Sequence, residues 1–83
     1  MANWKLKLSR PITLSRSAGG RTLVTLRDAA GVLHPRFDKL RCPTKTLAIE
    51  LLGEAAENEG REAIRDATDQ LARFLAEQRV TPA

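Results

Sequence analysis

A Gly-Gly pair at positions 19 and 20 separates two short segments in which apolar and polar residues alternate. Alternation with a period of two is typical of a strand buried on one face, and glycine supplies the positive φ that a tight hairpin connection requires. The segment after the pair, "RTLVTL", is rich in β-branched residues, as strands are. Beyond it the apolar spacing becomes that of a helix, with Leu26, Ala29, Ala30 and Leu33. The sequence therefore predicts an antiparallel hairpin that leads directly into a helix.

The first strand of the hairpin is predicted to begin near the start of the chain. Across residues 3 to 9 apolar side chains alternate with Lys5 and Lys7, so one face of the strand is apolar and the other is basic. Pro11 cannot donate a ladder hydrogen bond, and it marks either an edge position or the start of a second short strand over residues 12 to 14. We therefore expect two or three short antiparallel strands.

The first helix is predicted to start at a capping pair and to be short. The hydroxyl of Thr25 can accept a hydrogen bond from the first free amides, and Asp28 places a negative charge in the first turn. Gly31 weakens the helix, and Pro35 disfavours a helical conformation at His34. We expect this helix to end near residue 34.

Two longer helices are predicted after a loop. The loop covers residues 35 to 43, Phe37 and Leu40 are expected to pack under the core, and Pro43 suits a first helical position. The next helix, from about residue 44 to 58, has a broad apolar face. That face is formed by Leu47, Ile49, Leu51, Leu52, Ala55 and Ala56.

The last helix is predicted to begin after Gly60 and to end near Arg79. Gly60 can adopt the left-handed conformation that ends a helix, which favours two separate helices. The apolar positions keep nearly the same phase across Gly60, so one long helix over residues 44 to 79 is the alternative. The whole pattern predicts an α+β fold, in which a small N-terminal antiparallel β-hairpin or sheet is followed by one short and two longer α-helices.

The length of 83 residues indicates a single domain over residues 1–83, because a core of this size cannot be divided. Such a core is marginal for a monomer, so we expect a homodimer with the last helix or the sheet edge at the interface. No apolar run approaches the roughly 20 residues that cross a bilayer, and residues 1–20 lack the continuous apolar segment of a secretory signal. We therefore expect a cytoplasmic protein without a membrane partner.

The two halves of the chain carry opposite charges. Residues 1–45, the hairpin half, hold ten Lys or Arg and two acidic residues, a formal charge of +8. Residues 46–83, the helical half, hold four Arg and eight acidic residues, a formal charge of −4. A basic surface of this kind is typical of proteins that contact phosphates or an acidic protein patch. The candidate residues for an anion or nucleic-acid contact are Lys5, Lys7, Arg10, Arg16 and Arg21.

Two functions fit this charge pattern. The first is a small non-enzymatic regulatory or accessory binding protein whose basic half contacts an anionic partner. Duplex DNA is the sharpest case, because the basic half has few aromatic residues to stack on single strands. The second is a protein-interaction adaptor in which the C-terminal helices bind the partner and the basic half only gives solubility. The cations also fit a plain structural interpretation, a solvated face paired with the acidic helix of the same molecule or of a second subunit.

No catalytic, cofactor or metal site is predicted. Cys42 and His34 are the only cysteine and the only histidine, so neither a disulfide nor a thiolate metal cluster can form within one chain. A Cys–His nucleophile pair would need a pocket to orient it, which a chain of this size does not readily supply. The glycine pair lacks the spacing of a phosphate loop and lies between two strands. We therefore expect a non-enzyme without a cofactor, in which Cys42 is an ordinary reduced thiol.

Three segments, "PITL", "GGRTLVTLRDAA" and "LAIELLGEAAENEG", resemble short proteins common in rhizobia and related alphaproteobacteria. Those proteins carry a tighter Asp-Gly turn where this chain has Ala18, Gly19 and Gly20, and this chain has a shorter, proline-broken first helix and a longer final helix. The similarity covers about two thirds of the chain. It implies an alphaproteobacterial source and a compact α+β fold. The family has no assigned biochemical function, so the resemblance carries over no site residues.

Overall fold

The computed structural model describes residues 2–16, 19–37 and 39–81. A two-stranded antiparallel sheet is followed by three helices, which confirms the α+β prediction. The elements are β1 (Lys7–Thr13), β2 (Thr22–Thr25), α1 (Leu26–Phe37), α2 (Pro43–Asn58) and α3 (Arg61–Glu77). No helix within the described ranges is both long enough and apolar enough to cross a bilayer.

The segment before β1 forms a turn, so the prediction of a strand from residue 3 is wrong for its first four residues. The amide of Lys5 donates to Oδ1 of Asn3 at 3.2 Å, and a side chain that binds the backbone two residues on favours a turn. The amide of Asn3 donates to the carbonyl of Ala56 at 2.8 Å. The turn therefore holds the N-terminal segment against the end of α2.

The strand β1 runs through Pro11 to Thr13. Both strands of a two-stranded sheet are edges, so Pro11 occupies the edge position that the sequence offered as one alternative. The register pairs Lys7 with Thr25 but Ile12 with Leu23. Four residues of β1 between these pairs therefore lie opposite a single residue of β2, which makes an irregular bulge in the strand that contains the proline.

The connection between the strands confirms the prediction made from the glycine pair. Gly19 has φ 100° and Gly20 has φ 65°, a region that residues with a side chain rarely adopt. The amide of Gly20 donates to the carbonyl of Ser15 at 2.9 Å, and the amide of Leu14 donates to the carbonyl of Arg21 at 2.7 Å. These hydrogen bonds close the hairpin.

The start of α1 is the predicted capping pair. The amide of Asp28 donates to Oγ1 of Thr25 at 3.1 Å. In return, Oδ2 of Asp28 accepts from the amides of Thr25 at 3.2 Å and Val24 at 3.1 Å. This reciprocal arrangement satisfies amides that would otherwise lack a partner at the junction of β2 and α1.

The end of α1 was predicted three residues too early. The helix continues past Pro35 to Phe37. Proline removes only one amide donor, and the extension buries Phe37, whose ring meets the ring of Phe74 edge-on with centroids 5.1 Å apart. Leu40, also predicted to be buried, is 36% exposed.

Two helices follow, and Pro43 is the first residue of α2, as predicted. The break falls where expected, but the left-handed residue is Glu59 with φ 56°, whereas Gly60 has φ −83°. The predicted apolar face of α2 is too broad, because Leu47 and Ile49 lie on its exposed flanks. The buried side of α2 is narrower and consists of Lys45, Ala48, Leu52, Ala55 and Ala56.

The core lies between the sheet and the three helices, and every element contributes to it. The helix α3 ends with Arg79 in the left-handed region, and the amide of the buried Val80 donates to the carbonyl of Leu75 at 3.1 Å. The carbonyl of Val80 then accepts from the amide of Ser15 at 2.7 Å. The end of α3 is thereby joined to the hairpin turn. The largest fully buried side chains are Phe74, Leu23, Leu26, Leu33, Leu52, Leu71, Leu75 and Thr68.

Candidate functional site

The five candidate cations lie along the whole length of the hairpin, and all are exposed. Lys5 is in the turn before β1, Lys7 is the first residue of β1, and Arg10 lies in the bulge. Arg16 and Arg21 flank the glycine turn at the opposite end. A seven-residue strand spans about 20 Å, so these side chains line an extended surface and do not converge on one small anion.

Two of the five cations have acidic neighbours in the same molecule. Nη1 of Arg10 lies 2.6 Å from Oδ1 of Asp69 on α3, and Nη2 of Arg21 lies 3.9 Å from Oδ1 of Asp28. The side chains of Arg10 and Asp69 are 53% and 56% exposed, and an exposed pair of this kind contributes at most about 1 kcal/mol. For Arg10, the ion pair with α3 agrees with the interpretation that the basic residues pair with the acidic helix of the same molecule.

Three candidates, Lys5, Lys7 and Arg16, have no ion pair within the part of the chain that the structure describes. Arg27, at the start of α1, is a further exposed cation beside the hairpin that the sequence reasoning did not select. From residue 2 to residue 27 the chain holds six Lys or Arg and no acidic residue. The hairpin and its flanks, which we call the cationic hairpin (residues 5–27), are therefore a segment of one sign, which meets acidic side chains of α1 and α3 at Arg21 and Arg10.

Lys45 belongs to the basic half, but it is not exposed as the hairpin cations are. Lys45 is buried, and its Nζ donates to the carbonyl of Phe37 and, at 2.9 Å, to the carbonyl of Leu40. The ammonium group thereby satisfies carbonyls at the end of α1, where a positive charge is also favoured by the helix dipole. No local sequence signal indicates this role, because the contacts cross from one helix to the next.

An exposed apolar surface lies on α2 and the loop before it. Leu40, Leu47 and Ile49 are between 36% and 44% exposed. Ile49 is shared by three concavities, the largest of which is an open groove of ≈ 740 Å³. This groove runs beside the first turns of α2. Its wall includes Arg41, Cys42, Thr46 and Glu50.

Cys42 stands at the N-cap of α2 and is partly exposed. Its Sγ lies 3.2 Å from Oγ1 of Thr44, which itself donates to Oε2 of Glu77 at 2.9 Å. The hydroxyl of Thr44 lowers the pKa of the Cys42 thiol, and the nearby backbone amides of Lys45 and Thr44 lower it further. Burial and the negative charge of Glu77 oppose this shift.

The Cys–His pair considered from sequence falls partly outside the described residues, because the side chain of His34 is among those left undescribed. Within residues 2–16, 19–37 and 39–81, no three His, Cys, Asp or Glu side chains are grouped so that they could hold a metal ion. The described groups around Cys42 that lower its pKa favour the thiolate form.

Comparison with protein-family models, with curated proteins and with solved structures finds no match for this chain. The resemblance to the rhizobial proteins stays a prediction.

Proposed function

We propose that this protein is a small non-enzymatic accessory binding protein whose cationic hairpin contacts an anionic partner, with duplex DNA as the sharpest case. The observation that carries the proposal is the run of six exposed Lys or Arg from residue 2 to 27, with no acidic residue among them, of which four have no ion pair in the described chain. Cations that neutralise phosphates release condensed counterions, which drives binding without any need for sequence readout.

The shape of the surface favours a duplex over a single strand. A two-stranded ribbon is one of the elements that the major groove of B-DNA admits, and the cations lie along such a ribbon. Single-strand binding relies on aromatic side chains that stack on bases. Trp4, the one aromatic residue in the sequence from residue 2 to 27, is partly buried and packs against the core. Direct binding through phosphates is the mode that remains.

The variant that tests the proposal removes cations with no intramolecular ion pair in the described chain. We expect the double variant Lys7→Ala and Arg16→Ala to bind labelled duplex DNA more weakly, and the slope of log affinity against log salt to fall by about 2. The matched control is Arg61→Ala with Arg73→Ala, which removes the same charge from the exposed face of α3. Equal losses in both variants, measured by fluorescence anisotropy, would show that net charge and not the hairpin determines binding.

The exposed apolar side chains on α2 favour a second candidate, a protein-interaction adaptor. The sequence assigned that role to the C-terminal helices in general, and the large exposed apolar residues that the structure describes on helices are both on α2. An adaptor would bind no DNA even at low salt. It would lose partner binding when Leu47 and Ile49 are changed to polar residues, and it would tolerate the Lys7 and Arg16 substitutions.

A further inference from the structure

One side of α2 is exposed, carries an apolar side chain and includes a glycine. Thr46, Ile49 and Gly53 follow one another at the spacing that places residues on one side of a helix. Thr46 and Ile49 are exposed, and Gly53 is partly buried. Thr46 and Ile49 line the open groove, and Ile49 and Gly53 line a second concavity of ≈ 400 Å³. We call these three residues the α2 row.

No described contact within a single chain requires a glycine at position 53. Glycine in a helix interior costs about 1 kcal/mol relative to alanine, yet a Cβ added at Gly53 would meet no atom within 4 Å. Its backbone does not adopt a positive φ. A glycine that the chain itself does not require fits a site where another backbone approaches closely.

The two ends of the α2 row carry opposite charges. Arg41 lines the groove at the N-terminal end, and Glu57 lines the second concavity at the C-terminal end together with Glu54. Ile49 lies eight residues after Arg41 and eight residues before Glu57. Glu57 lies on α2, where eight residues correspond to about 12 Å, and Arg41 lies two residues before the first residue of α2. Ile49 is therefore midway along the sequence between two charges of opposite sign.

We propose that the α2 row is a homodimer interface, in which α2 packs antiparallel against α2 of a second copy with the two-fold axis near Ile49. An antiparallel pairing about this point brings the Arg41 end of each chain to the Glu57 end of the other, twice by symmetry. Ile49 meets its own symmetry mate, and Thr46 lies opposite Gly53. The antiparallel pairing brings only Glu50, which lies beside Ile49, near its own copy, whereas a parallel pairing would place Glu50, Glu54 and Glu57 all against their own copies, which is less favourable.

A second copy fits the charges better than an unrelated partner does, because the row already contains both complementary halves. The interface also differs from the one expected from sequence, which was the last helix or the sheet edge. The exposed face of α3 presents no large apolar side chain among the described residues. The proposal is independent of DNA binding, because the cationic hairpin and the α2 row share no residue.

The first test exchanges the charges at the two ends. The single variants Arg41→Glu and Glu57→Arg each place like charges together, and we expect each to raise the dimer dissociation constant about tenfold, since every change acts at two symmetric contacts. The double variant restores the pairing in reversed order and should return the constant toward that of the unaltered protein. Sedimentation equilibrium over a concentration series measures all four proteins. Additive weakening in the double variant would overturn the proposed pairing.

The second test uses the residue nearest the axis. In a Cys42→Ser background, Ile49→Cys should form a disulfide with its own mate on mild oxidation, whereas Arg65→Cys on the exposed face of α3 should not. Ile49 is 40% exposed, so the substitution leaves the core intact, and circular dichroism checks that the variant folds. A protein that stays monomeric at about 100 μM, well above a micromolar dissociation constant, or equal cross-linking of the Ile49→Cys and Arg65→Cys variants, would contradict the proposal. The first of these results would leave the α2 face to a different protein partner.

Discussion

Among single residues, Asp28 does the most to fix the place where the sheet ends and α1 begins. The amides of Val24 and Thr25 donate to its carboxylate. They hold the pKa of Asp28 below its ordinary value of 3.8, with a smaller contribution from the charge of Arg21. A carboxylate that is stabilised in the folded state contributes to stability wherever it is ionised.

The pH dependence of stability follows from that lowered pKa. Because the folded pKa of Asp28 lies below the unfolded one, its contribution is fully present above about pH 5 and is lost as the pH falls through the folded pKa. We expect Asp28→Asn to lower the free energy of unfolding by about 0.5–1 kcal/mol at pH 7, with the difference shrinking as the pH falls through the folded pKa of Asp28. Urea unfolding at several pH values measures it. The exposed Asp66→Asn is the control, and a difference that persists unchanged to pH 2 would contradict the role given to the Asp28 carboxylate.

The thiol of Cys42 offers a second prediction at the residue scale. Thr44 has one hydroxyl hydrogen, and Glu77 accepts it at 2.9 Å. Removing the Glu77 carboxylate frees that hydrogen for the thiolate and removes a negative neighbour. We expect Glu77→Ala to move the midpoint of the pH profile of Cys42 alkylation to lower pH, and Thr44→Val in the Glu77→Ala background to move it back to higher pH. An unchanged midpoint in both variants would show that neither side chain influences the thiol.

Between elements, Thr68 connects α3 to the bulge of β1. Its buried Oγ1 accepts from the amide of Ser9 at 3.1 Å and donates to the carbonyl of Ile64 at 2.8 Å. Ser9 lies in the bulge, where no register partner on β2 is assigned to it, and Thr68 supplies a hydrogen-bond acceptor for its amide. The irregularity in the strand is thus matched by a hydroxyl on the helix.

Replacing Thr68 by valine keeps the shape and removes the hydroxyl. We expect Thr68→Val to lower the free energy of unfolding by about 1–3 kcal/mol, because the Ser9 amide is left unsatisfied in a partly buried place. Thr22→Val is the matched control. Its Oγ1 lies 3.4 Å from Oγ1 of Thr13 on the exposed side of the sheet, and its loss should cost less than about 0.5 kcal/mol. Equal effects of the two substitutions in urea unfolding would refute the role given to Thr68.

The elements that sequence predicted correctly depend on neighbouring residues. The turn at Gly19 and Gly20, the cap of α1 and the first residue of α2 each follow from the conformational preferences of one or two residues. The extension of α1 to Phe37 was missed because the contact that stabilises it, with Phe74, lies far along the chain. Pro35 is a strong local signal, but burial of an aromatic ring outweighed it.

In the candidate site too, the features that depend on neighbouring residues were predictable, and those that depend on distant contacts were not. The exposure of the hairpin cations followed from strand alternation and charge, and the structure agrees with it. The partner of Arg10 is 59 residues away at Asp69, and the burial of Lys45 depends on how α1 and α2 meet. Ile49 was assigned to the buried face because every apolar residue of α2 was counted together. Only the packing of α2 on its neighbours decides which of its flanks remains open.

On the scale of the whole molecule, the charges are separated by element. The cationic hairpin is followed by α2 and α3, which hold seven of the eight acidic residues of the helical half, and the eighth, Glu59, lies between them. The only described ion pair that joins the sheet to α3 is the one between Arg10 and Asp69. The opposite charges lie on different elements, and few of the described ones form ion pairs. The hairpin cations are therefore available to an anionic partner.

The measurement that tests this availability most directly is the affinity of the unaltered protein for labelled duplex DNA at about 50 and 200 mM salt. Contact with three phosphates predicts a slope of about −2.7 for log affinity against log salt, which corresponds to an affinity about 40-fold weaker at the higher concentration. Light scattering on the same samples reports whether one chain or two bind. Absence of binding at the lower salt concentration, or binding that does not change with salt, would contradict the proposed role of the cationic hairpin.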